Sequence, residues 1–185
     1  MNLLTKICLH WSAGAHFPCA EDLKAYHYCV DKIGRIYPGK HKPEDNLNCY
    51  DGNYAMHCGG GNTGCIGLAL CGMAGFTSDK KLTKYPLTQK QVESFCCLAA
   101  YLSTKYGILI SEKSVFTHYE FDQRRPKNKR EGKIDITHLP YLPDLTVKNA
   151  GEYLRQKIAW YCEKIKQNKY KFVKKGDYYE FIAMA

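Results

Sequence analysis

The stretch Cys65-Ile66-Gly67-Leu68-Ala69-Leu70-Cys71 decides the fold. It carries no charge and is too short for a buried helix, so it reads as a strand covered on both faces. Upstream, Leu3 to His10 reads as another buried strand, and the stretch beginning His16-Phe17-Pro18 leaves room for only a short helix. Tyr26, Tyr28 and Val30 alternate with His27, Cys29 and Asp31; Lys32-Ile33-Gly34 then turns the chain into Arg35-Ile36-Tyr37, a hairpin pattern. Downstream, Thr88 and Gln91 form a capping box, Val92, Phe95, Cys96, Ala99 and Leu102 follow at helical spacing, and Gly107 closes the helix. Val115-Phe116-Thr117 is a short strand that delivers His118. A last amphipathic helix buries Leu154, Ile158, Tyr161 and Ile165, and two β-prone pieces flanking Lys175-Gly176-Asp177 suit a terminal hairpin. Strands alternating with helices predict the α/β class, with a mixed central sheet flanked by helices.

The 185 residues fit one domain. Residues 1–145 are expected to form the core, and 146–185 a basic helix and hairpin packed on it. Lys and Arg number 27 against 18 Asp and Glu, a net +9 that draws the protein toward a polyanion. The excess gathers in two runs: Lys148 to Lys175 has nine bases and two acids, and Arg124 to Lys133 has six bases and one acid. Seven of the ten cysteines, Cys8, Cys29, Cys65, Cys71, Cys96, Cys97 and Cys162, sit in apolar runs, and no Cys-x-x-Cys pair is present. Free thiols there behave as small buried hydrophobes, which points to a reducing compartment rather than a disulfide scaffold or structural zinc. The opening residues lack an export pattern, and no apolar run reaches the ~18 residues of a membrane span. The expected location is therefore the cytoplasm of the producing cell.

His10 and His118 each stand where a strand gives way to a loop, and Asp135 follows a basic stretch, so the three can converge at one edge of the sheet. Two imidazoles and one carboxylate suit zinc and leave the fourth tetrahedral position open, as in catalytic sites. Such a metal lowers the pKa of its water to about 7 and polarises a carbonyl.

Three ordered motifs resemble the zinc-dependent N-acetylmuramoyl-L-alanine amidases of type 2. They are Ile7-Cys8-Leu9-His10-Trp11-Ser12-Ala13-Gly14, Tyr26-His27 leading to Val30-Asp31-Lys32-Ile33-Gly34-Arg35-Ile36-Tyr37, and the stretch from His57 through Asn62 to Ile66-Gly67. Tyr85-Pro86-Leu87-Thr88 with Gln91, His118-Tyr119-Glu120-Phe121 and Lys133-Ile134-Asp135 extend the likeness over roughly residues 7 to 143. The resemblance implies the fold shared by single-domain phage lysozyme-amidases and peptidoglycan-recognition proteins. It implies one Zn2+ held by His10, His118 and Asp135, with Tyr26 and Lys133 flanking the reacting carbonyl. Glu21 stays open as a carboxylate in place of Tyr26. His57 and Asn62 match a groove wall that contacts the substrate, and Trp11 is expected to offer an aromatic platform. The implied reaction is hydrolysis of peptidoglycan between N-acetylmuramic acid and L-alanine, in a phage endolysin that waits in the infected cell until released to the wall. The alternative is a peptidoglycan-binding module of the same fold without catalysis. Nucleic acid is the less favoured partner, and a monomer is the default.

Overall fold

The computed structural model describes residues 3–79 and 82–184. Seven strands form one mixed sheet: β1 (Lys6–Trp11), β2 (Tyr28–Val30), β3 (Ile36–Pro38), β4 (Cys65–Leu70), β5 (Val115–Thr117), β6 (Tyr170–Lys175) and β7 (Tyr178–Ala183). Four α-helices accompany it: α1 (Ala20–Ala25), α2 (Gln89–Tyr106), α3 (His118–Arg124) and α4 (Ala150–Lys166). Strand order is β5-β1-β4-β2-β3-β7-β6; the first four run parallel, and β3, β7 and β6 add antiparallel pairs.

Every residue of β4 is buried, as its uninterrupted apolar run requires. Strand parity divides the chemistry. On β1, Ile7, Leu9 and Trp11 join the main core, while Cys8 and His10 project to the opposite face. The capping box does more than start α2. Thr88 accepts from the Gln91 backbone N–H, and the Gln91 amide donates to the carbonyls of Val30 and Cys71, pinning the helix to the ends of β2 and β4. Gly107, at φ 67°, ends the helix in the left-handed region.

The terminal hairpin joins the central sheet rather than standing apart, since Ile36 of β3 registers with Tyr179 of β7. Phe172 and Phe181 of the hairpin pack on Tyr101 of α2, and Tyr170 packs on Tyr161 of α4. Arg155 of α4 donates to both Glu120 oxygens and to the Val115 carbonyl, tying the C-terminal helix to α3 and β5. Among the described residues, no helix is long and apolar enough to cross a membrane.

Candidate metal centre

The C-terminal ends of the parallel strands bring three donors together. His10 is the penultimate residue of β1, and His118 opens α3 directly after β5, where Thr117 caps the helix and Glu120 completes the box. Asp135 arrives on the loop that follows. His10 Nδ1 lies 3.0 Å and His118 Nδ1 3.3 Å from Asp135 Oδ2, and the donor atoms of all three lie within 4.8 Å of one another. Donors about 2.1 Å from a common tetrahedral centre stand roughly 3.4 Å apart, so the spacing is that of a set able to close on one ion.

A chain of hydrogen bonds fixes which nitrogen of His10 faces this cluster. The Cys65 carbonyl can only accept, so His57 Nε2, 3.3 Å away, carries the proton. Burial holds the His57 pKa well below its ordinary value, with His10 and His27 adding to the shift, so the ring is neutral and its Nδ1 is an acceptor. His10 Nε2, 3.2 Å from that Nδ1, must then donate, which leaves the His10 Nδ1 lone pair aimed at Asp135. Burial also lowers the His10 pKa, against the pull of Asp135, so the ring is neutral and available as a ligand.

Burial opposes charge on both Asp135 and His118, and their pairing outweighs it. The close approach of His10 and His118 holds the Asp135 carboxyl well below the carboxylate range, while Asp135 and Cys58 raise His118 to about 9. Without a cation the pair shares a proton, and a bound divalent ion takes that proton's place.

Two devices aim Asp135. The buried Asp122 carboxylate accepts the backbone N–H groups of Glu131, Gly132 and Lys133 at 2.8, 3.0 and 3.2 Å, anchoring the incoming loop to α3. Ile136, next in the chain, is buried in the core at φ 56°. A β-branched residue in that region costs about 1–3 kcal/mol, strain that here turns the chain from the ligand cluster into the core.

The sequence profile of the N-acetylmuramoyl-L-alanine amidase family matches residues 4–133. The chain belongs to that family. No curated protein matches it. Among solved structures it is similar to the N-acetylmuramyl-L-alanine amidase AmiD from E. coli, in complex with the substrate anhydro-N-acetylmuramic acid-L-Ala-D-gamma-Glu-L-Lys, at 18% identity and a TM-score of 0.46. The match covers 67% of this chain and 52% of that one, so the chain spans about half the length of this relative.

Tyr26 stands beside the cluster, its ring 5.1 Å from that of His10. It follows the six-residue α1, and Gly39 lets a neighbouring loop approach so closely that a Cβ there would overlap the Tyr26 carbonyl oxygen. Burial and the nearby Asp135 charge push the Tyr26 pKa up, so the phenol keeps its proton. Glu21 is exposed in the first turn of α1. The Lys133 ammonium rests on Glu131 at 3.1 Å rather than on the cluster.

The three residues expected to contact substrate are buried. His57 is buried, and both its ring nitrogens are engaged by protein groups. Asn62 is buried too; its side-chain oxygen accepts the backbone N–H groups of His57 and Cys58 and so shapes their loop. Trp11, only 4% exposed, shares the core face with Ile7 and Leu9 and packs edge-on against Phe76. These contacts bond His57 to His10, build the loop at Cys58 and pack Trp11 into the core.

Sequence reading missed Cys58, whose thiol is drawn down to about 5 by hydrogen bonding to Cys8, with burial opposing and His118 assisting. Cys8, His10 and His57 make a second grouping able to hold a metal, but it uses the same His10.

The frame behind the site is acid-sensitive. His27 Nδ1 accepts the Gly67 N–H at 2.9 Å and its Nε2–H donates to Asn46 at 3.1 Å, a fully bonded neutral ring whose pKa burial lowers to about 4. Unfolded, the same ring titrates near 6.5, so between pH 6.5 and 4 the unfolded chain binds more protons and stability falls as pH falls. The expected loss from His27 is about 3 kcal/mol across that window. Urea unfolding of the metal-free chain at pH 7 and pH 4 measures it, and His27→Gln is expected to flatten the dependence.

Proposed function

We propose that the chain is a zinc-dependent amidase that hydrolyses the bond between the lactyl group of N-acetylmuramic acid and the L-alanine of the stem peptide. The observation that carries this reading is the convergence of His10, His118 and Asp135 beside Tyr26, in a chain whose residues 4–133 match the amidase family. Two nitrogens and one oxygen are donors zinc accepts, and a three-residue set leaves a coordination position for water or substrate. When bound, the ion lowers the pKa of water and polarises the scissile carbonyl.

The chain's own groups do the rest. The protonated Tyr26 phenol donates a hydrogen bond to the negative charge that develops on the carbonyl oxygen. His57 keeps His10 in the tautomer that presents Nδ1. Lys133, two residues before Asp135, turns from Glu131 to bring its ammonium to the departing amine and supply its proton. Ten free cysteines, eight of them buried, suit folding in a reducing cytoplasm before release to the wall, as in a phage endolysin.

The test is mass analysis of fragments released from defined peptidoglycan, with and without a chelator. The expected result is new N-terminal alanine, no new reducing sugar, loss of cleavage on chelation and its return with zinc. New reducing ends without free alanine would make the chain a glycosidase; wall binding without cleavage by the zinc-loaded chain would make it a recognition module.

A further inference from the structure

The terminal hairpin has two sides, and helices cover one of them. Tyr170 and Phe172 of β6 and Phe181 of β7 turn toward the helices, where they meet Tyr161 and Tyr101. Strand parity sends the alternate residues to the other side. Register there sets Lys171 opposite Ile182, Val173 opposite Glu180 and Lys175 opposite Tyr178. The Met184 N–H donates to the Lys169 carbonyl at 2.8 Å, so the pairing runs one step further and sets Lys169 opposite Met184. The two rows interleave lysines with uncovered apolar side chains: Ile182 is 39% exposed and Met184 47%, and Lys169, Lys171 and Lys175 are all exposed. Residues 169–175 hold four lysines and no acid. Glu180 is the one acid in the two rows, and Lys175 lies 3.9 Å from it. At the inner margin the Arg35 guanidinium lies 4.8 Å over the Tyr178 ring and adds a further cation.

We propose that this outward side of the hairpin is a docking surface for an anionic phospholipid bilayer. Lysines along an edge strand guard it against pairing with another chain, and that role alone leaves the surface polar. Here they are interleaved with Ile182 and Met184, which such a guard does not require. A soluble polyanion would use the lysines and leave the apolar side chains in water. A bilayer takes both: the ammonium groups meet lipid phosphates, the apolar side chains enter the headgroup region, and Tyr178 suits the boundary with an apolar ring and a polar hydroxyl. The pairing of Ile36 with Tyr179 and the Phe172 contact with Tyr101 hold the hairpin to the core, so only its side chains reach the lipid. The hairpin lies outside residues 4–133, the amidase-family match, and the proposal does not rest on the hydrolytic reading.

The experiment sediments the full chain with vesicles of phosphatidylcholine, alone or with about 30% phosphatidylglycerol. Binding to the anionic vesicles is expected at low salt, about tenfold or more tighter than to phosphatidylcholine alone, and weaker as salt rises. Lys171→Gln with Lys175→Gln is expected to weaken it about tenfold or more, and Ile182→Thr with Met184→Gln about threefold or more at constant salt. All four positions are exposed, and the urea midpoint of each variant checks that the fold is kept. Equal affinity for the two vesicle types, no binding to either, or either variant binding like the parent would overturn the proposal. A single-stranded oligonucleotide bound more tightly than the anionic vesicles would also overturn it, assigning the lysines to a soluble polyanion. Vesicle binding needs no turnover, so its outcome stands apart from that of the wall-fragment test.

Discussion

Asp135→Ala is expected to leave a folded chain that retains neither its ion nor its turnover. The carboxylate is the one anionic member of the donor set and touches both imidazoles, at 3.0 and 3.3 Å. Removing it leaves two neutral donors for a divalent cation, too few for a site that works with three. Loss of the ion's charge stabilisation amounts to several kcal/mol, so activity should drop by about 1,000-fold or more. Asp135→Cys offers a different outcome, because a thiolate is also a good zinc donor. That variant is expected to keep stoichiometric zinc and part of its activity. Metal analysis after dialysis and cleavage rates on purified wall check both, and an Asp135→Ala chain that turned over normally would remove Asp135 from the site.

The second large effect comes from a residue with no side chain. A Cβ at Gly67 would stand 2.3 Å from His57 Cγ and 2.4 Å from Cδ2, so the His57 ring lies directly on the β4 backbone. Gly67→Ala must push that ring away, at an overpacking cost of about 1–3 kcal/mol. The same movement takes the acceptor from His10 Nε2 and leaves a buried donor unpaired, about 1–3 kcal/mol more. Zinc affinity is expected to fall about 10–100-fold, the usual effect of losing a group that orients a ligand. Adding His57→Ala to Gly67→Ala restores space but not the acceptor. The double variant should therefore regain stability in urea while still binding zinc weakly, as read by competition with a chromophoric chelator. Wild-type zinc affinity in Gly67→Ala would show that His57 does not set the His10 tautomer.

Much of this arrangement was legible because it is local. Alternation and capping residues placed the central strands and α2, and strand ends placed His10 and His118. The face of Trp11 was hidden for want of one residue of strand: β1 runs to Trp11, and period-two parity then puts Trp11 on the face opposite His10. A similar signal lay in Gly67, since glycine inside a buried strand marks a close approach, though the sequence does not say that His57 is what approaches. Asp122 reads as one acid before a basic run; its grip on residues 131–133 appears only once the loop closes. Joining β7 to β3 links residues more than 140 positions apart, and no local pattern encodes such a partner.

The basic loop is also less available than its composition suggests. Arg125 and Lys133 both pair with Glu131, and Arg130 bonds to Gln123 and to the Arg125 carbonyl. Much of its positive charge thus holds the loop's own shape, next to the residues that aim Asp135.

X-ray absorption at the zinc edge, on chain purified with one equivalent of zinc, tests the centre most directly. The account predicts a single site with two imidazole nitrogens, one carboxylate oxygen and one further light atom, and no sulfur. A sulfur scatterer at about 2.3 Å would place the ion among Cys8, His10 and His57 instead, and the proposed hydrolytic centre would be wrong.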